Sequence, residues 1–94
     1  MSNVVDSAVA MLARKISGFD GVAKFVINGE GSIVVDAGGV RAGDDEADVT
    51  LTADADVFQA ILSGDLNPTS AFMQGKLSVD GNMGLAMKLG AALA

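Results

Sequence analysis

The chain has no cysteine and no histidine among its 94 residues. Disulfides, thiolate zinc sites, thiol nucleophiles and imidazole acid–base catalysis are therefore excluded from its chemistry. Tryptophan and tyrosine are missing as well, and the four phenylalanines are the only aromatic residues. Proline occurs once, at Pro68. Bases are scarce: Arg14, Lys15, Lys24, Arg41, Lys76 and Lys88 form no run, and with 12 acidic residues the net charge is −6. That balance lacks the electrostatic footprint of a protein that binds nucleic acid or anionic lipid headgroups. No apolar stretch reaches the ~18 uncharged residues that a membrane-spanning helix needs. The first apolar residues are interrupted by Asp6, Arg14 and Lys15, so no signal peptide is read and a cytoplasmic protein is expected.

What remains is apolar and small. Half of the residues are hydrophobic, mostly Ala, Val, Leu and Met, with 12 glycines. The length suits one domain spanning residues 1–94. A chain of this size buries about two-thirds of its unfolded surface. Its core is therefore modest, and side chains of this kind do not by themselves fill an interior densely.

Helical spacing of Val5, Ala8, Val9, Leu12, Ala13 and Ile16 predicts an amphipathic helix over 3–17. Ser2 or Asn3 is placed to cap its start and Gly18 to end it. Residues 22–36 read as a hairpin turning at Asn28–Gly31. Both of its strands carry apolar residues on each face, as in a sheet partly covered on two sides or touching a ligand. A short strand is expected at Val40–Ala42 and a firmer one at Asp48–Ala53. No helix fits between these strands, so neighbouring ones are expected to pair antiparallel. Asp54 is placed to cap a helix carrying Val57, Phe58, Ile61 and Leu62, ended by Gly64. Asn67-Pro68 starts a short helix that Gly75 stops. Leu77 and Val79 alternate with Lys76, Ser78 and Asp80 in a last strand, and Asn82 caps a final helix from Met83 to Leu93. That helix is apolar nearly all round, with Lys88 its one charge, so it must be covered on most sides. Gly84 and Gly90 each cost about 1 kcal/mol relative to alanine in a helix interior. They suit a backbone that approaches something closely, or a helix that must move.

Familiar catalytic and ion-binding patterns are missing. Gly29-Glu-Gly31 lacks the third glycine of a phosphate cradle and precedes a strand, and Gly38–Gly43 has the wrong spacing. Asp44, Asp45, Glu46 and Asp48 lack the spacing and glycine of a calcium loop. No pair of carboxylates is singled out for acid–base work. The remaining signal is apolar: Phe58, Ile61, Leu62, Phe72, Met73, Leu77, Met83, Leu85, Met87 and Leu89 form either an ordinary core or the wall of a pocket. Methionine favours a surface that fits varied apolar shapes.

The ordered segments Ala47–Thr52, Asp56–Phe58, Ile61–Gly64, Asn67-Pro68, Ala71–Leu77 and Gly81–Leu89 resemble the sterol carrier protein type 2 family. The resemblance implies an α+β fold: a five-stranded, largely antiparallel sheet with helices packed on one side and a hydrophobic tunnel between. It implies non-catalytic binding, and transfer, of fatty acids, acyl-CoA, sterols or phospholipids with loose selectivity, without a cofactor or metal. Carried onto this chain, it points to Phe58, Leu62, Phe72, Met73, Gln74, Leu77, Met83 and Met87 as lipid-binding residues, with Gln74 either near a headgroup or capping its helix. Expected partners are a lipid ligand and at most a transient membrane contact, with the chain monomeric or weakly dimeric. Family members often end in a Ser/Ala-Lys-Leu peroxisomal signal, which the terminal residues here do not match. The alternative is an interaction module in which the apolar last helix buries against a second copy or another protein.

Overall fold

A computed structural model describes residues 3–16 and 19–93. The element order is α1 (Asn3–Lys15), β1 (Ala23–Asn28), β2 (Gly31–Asp36), β3 (Gly39–Ala42), β4 (Val49–Asp54), α2 (Ala55–Ser63), α3 (Pro68–Met73), β5 (Leu77–Gly81) and α4 (Met83–Leu93). The caps read at Ser2 and Gly18 lie outside the described residues, and Asn3 falls within α1 as its first residue.

The five strands form one sheet in the order β3-β2-β1-β4-β5. Period-two alternation puts Ala23, Phe25 and Ile27 of β1 in register with Val49, Leu51 and Ala53 of β4, and these six are all buried. Ile33 and Val35 of β2 extend the same face. All four helices pack on it, and α1 contributes Val5, Ala8 and Leu12, with Ile16 just after it. Phe58 of α2 tilts against Phe25 with ring centroids 5.3 Å apart, an arrangement worth ~0.5–1.5 kcal/mol beyond its burial.

One expectation fails. β4 does not follow β3 as an antiparallel neighbour. It crosses to the far side of β1 and pairs with it in parallel, Ala23 opposite Val49 through Asn28 opposite Asp54. The reason lies in residues 43–48, which run over the outer face of the sheet. Gly43 exchanges hydrogen bonds with Ser32 and lies against Val34, while Asp44 pairs with Lys24 at 2.9 Å. The Asp48 carboxylate accepts from the Val22 backbone N–H, and Asp48 donates its own N–H to the Val22 carbonyl. The acidic turn thus guides the return path, and Val34 is buried under it. The sheet is mixed, with its other three pairings antiparallel.

A smaller difference concerns Asp54. It occupies the N-cap position of α2, but its side chain makes no capping bond and accepts from the Asn28 amide at 2.9 Å instead. Gly64 ends α2 in the left-handed conformation, φ +88°.

Candidate functional site

The final third of the chain builds a groove at the β5 edge of the sheet. α3 begins where Asn67 Oδ1 accepts from the backbone N–H groups of Thr69 and Ser70, at 2.8 and 3.3 Å, with Pro68 at its first position. It ends at Gly75, φ +76°, where the Lys76 N–H bonds back to the Ala71 carbonyl. The chain then enters β5 beside β4. At the far end of β5, Gly81 has φ +107° and packs directly on the Asp48 carbonyl. That carbonyl accepts from Asn82 N–H at 2.9 Å, and Asn82 Oδ1 caps α4 by accepting from Leu85 N–H at 3.1 Å. These bonds aim α4 back across the sheet.

α4 has two apolar faces. Leu85, Leu89 and Leu93 turn inward, and the last two are buried. Met83, Ala86, Met87, Gly90 and Ala91 recur at helical spacing on another side and line a cavity of about 390 Å³. Pro68, Thr69 and Phe72 of α3, with Asn67, form the opposite wall. Leu51, Leu77 and Val79 of the sheet form the floor. The cavity is a groove that opens to solvent: Phe72 is 43%, Met83 50% and Met87 75% exposed. The cover expected on most sides of α4 is therefore missing on this one. The chain itself fills only the Leu face.

Four of the residues singled out in the sequence come together here, namely Phe72, Leu77, Met83 and Met87. Phe58 and Leu62 lie apart from them in the closed core under α2. Met73 is not part of the groove lining and is 79% exposed. Gln74 is exposed at the C-cap of α3, its N–H bonded to the Ser70 carbonyl, while the next N–H, of Gly75, bonds the Phe72 carbonyl. Sequence reasoning missed Asn67, Pro68, Thr69, Ala86, Gly90 and Ala91, since small or polar residues and a helix-start proline carry no hydrophobic signal, and it missed Leu51 and Val79, whose strand alternation does not distinguish a groove floor from sheet core. The helical register of α4 separates Met83, Met87 and Gly90 from Leu85, Leu89 and Leu93, and would have pointed to Gly90 and Ala91 as groove residues.

Among the described residues, none that lines the groove is ionisable. The titration features lie across the sheet. There the Arg41 guanidinium donates to Asp36 at 3.0 Å and, with the Gly38 N–H, holds the Asp36 carboxyl below its ordinary value; Asp36 in turn raises Arg41. The groove itself offers apolar area, one amide and one hydroxyl.

Fold and site together define a small α+β domain with an apolar groove between its sheet and its last two helices. The model of the SCP-2 sterol transfer family matches residues 6–94, and the chain belongs to that family. It is similar to rat sterol carrier protein 2, at 52% identity over 65 residues, which is 68% of this chain and 11% of the rat protein. Peroxisomal multifunctional enzyme A of Dictyostelium discoideum is 50% identical over 66 residues, 70% of this chain and 14% of that protein. The chain thus spans a small part of the curated relatives it matches. Among solved structures, the solution structure of Aedes aegypti sterol carrier protein 2 in complex with palmitate superimposes with a TM-score of 0.79. The two are 30% identical, with 100% of this chain and 97% of that one covered.

Proposed function

We propose that this domain binds lipids non-catalytically in the groove between α3, α4 and the β4–β5 edge, and carries them between donor and acceptor. The observation that carries the reading is the outer face of α4. Met83 and Met87 stand half to three-quarters exposed over a groove of about 390 Å³, a size within the ~300–1,000 Å³ of ordinary ligand sites. The complex of the Aedes aegypti relative with palmitate supports an acyl chain as occupant. Fatty acids, acyl-CoA, sterols and phospholipids are all candidates. Binding would rest on area, at ~0.8 kcal/mol per buried CH₂, so affinity should follow chain length and discriminate poorly among shapes. Of the residues foreseen from sequence, Phe72, Leu77, Met83 and Met87 are the ones we assign to ligand contact.

A second reading has one observation of its own. Met73 is 79% exposed outside the groove, beside Phe72, and a second copy of the chain would cover both. Native mass spectrometry of protein incubated with palmitate separates the two. Added lipid mass on a monomer supports carriage; a stable dimer that takes up no lipid rejects it.

A further inference from the structure

The residues this chain lacks leave methionine as its oxidisable side chain. Without cysteine, tryptophan, tyrosine or histidine, a peroxide at moderate dose finds thioethers as its target. Met83 and Met87 lie four positions apart on one face of α4, and both are exposed in the groove wall. Met73 is more exposed still but is no part of the lining. Oxidation transfers one oxygen. A lone pair of the thioether sulfur attacks the outer oxygen of a hydroperoxide, and the O–O bond breaks as the S–O bond forms. The proton of the outer oxygen moves to the departing one, which leaves as water or an alcohol. Sulfur is oxidised and the peroxide reduced. The sulfoxide that results is polar. In the empty groove water solvates it, so the fold is not disturbed. Beneath a bound chain it has two positions open to it. Held in the wall, it loses its water, and the only side-chain N–H and O–H donors in the lining, Asn67 and Thr69, belong to the wall across from α4. An unpaired polar group is costly there. Swung out into solvent, it withdraws apolar area that the chain would otherwise cover. Either way the lipid-bound state is weakened and the empty state is not. A lipid that covers both thioethers in turn shields them.

We infer that Met83 and Met87 form an oxidation site in the groove wall, where a hydroperoxide converts them to sulfoxides and the groove then gives up its lipid. The inference rests on the lipid-binding reading above and adds a control to it. The test treats the protein with hydrogen peroxide, with and without saturating palmitate, a chain that has no double bond to oxidise. Treatment is stopped while Met11, partly buried against the core, is still a thioether. Each methionine is followed by mass spectrometry of peptides cut after Lys76 and Lys88, which place Met83 and Met87 in one fragment and Met73 in another. Palmitate should slow oxidation of the groove pair several-fold and leave Met73 unaffected. After the peroxide is removed, the palmitate affinity of protein oxidised without lipid should fall about tenfold by titration calorimetry, with its thermal midpoint little changed. Met73→Leu should show the same loss. Met83→Leu/Met87→Leu, whatever its starting affinity, should keep that affinity through the treatment. The inference is overturned if palmitate shields Met73 as much as the groove pair, or if the oxidised protein unfolds or binds palmitate as tightly as the untreated protein. It is equally overturned if the Met83→Leu/Met87→Leu variant loses affinity on treatment as the unaltered protein does. Failure of untreated protein to take up palmitate is read before any peroxide is added, and removes the lipid-binding reading together with this inference.

Discussion

Gly81 and Gly90 lie near the two ends of α4, the first just before it and the second in its last turns, and do opposite things. Gly81 needs φ +107°, and a Cβ there would run into the Asp48 carbonyl. Gly81→Ala should therefore lower stability by about 3 kcal/mol, read by chemical denaturation, since it combines backbone strain with a collision against main chain. Gly90 lies within α4, and a Cβ there would meet nothing within 4 Å. The space belongs to the groove. Gly90→Leu should preserve or raise the thermal midpoint, because leucine is favoured over glycine in a helix by up to ~1 kcal/mol. It should also cut uptake of a fluorescent fatty acid about tenfold as its side chain occupies the volume. A stable variant with unchanged uptake would move the ligand elsewhere. Sequence alone flagged the cost of Gly90 and the two uses a glycine there could serve. It could not choose between them, since room beside a backbone is a property of what packs around it.

α4 is anchored by Leu85, Leu89 and Leu93 and free on its methionine side, so its two faces should answer to mutation differently. Met83→Asp or Met87→Asp should abolish fatty-acid uptake while leaving circular dichroism largely intact, because both side chains already touch water. Leu62→Ala in α2 should behave the other way. It removes a side chain that is 2% exposed and should cost ~2–5 kcal/mol of stability, with binding retained in whatever fraction stays folded. The helices themselves were readable from periodicity and punctuation: Asn67-Pro68, Gly64, Gly75 and Asn82 mark ends that the structure keeps. Which apolar residues face a cavity was not readable in the same way. Phe58 and Phe72 are alike in type and both belong to apolar stripes. Only the packing of α2 on the sheet decides that the first meets Phe25, and only the path of α4 leaves the second facing an open groove.

Across the molecule, the strand segments were evident from alternation, but the parallel seam between β1 and β4 was not. It depends on Asp44 finding Lys24 and Asp48 finding Val22 across the sheet, contacts between residues 20 and 26 positions apart. Short-range patterns do not encode them. The same acidic surplus bears on how molecules behave toward each other. Phe72, Met83 and Met87 leave apolar surface facing water around the groove mouth, and Met73 adds more outside it; patches of this kind invite association. At neutral pH a charge of −6 keeps copies apart. Near pH ~4, where carboxylates take up protons, that repulsion is lost. Light scattering should rise there in lipid-free protein and rise less in protein saturated with a long-chain lipid. Dispersal and cargo are then linked: an empty molecule relies on mutual repulsion to stay in solution, whereas a filled one has covered part of the surface that makes repulsion necessary.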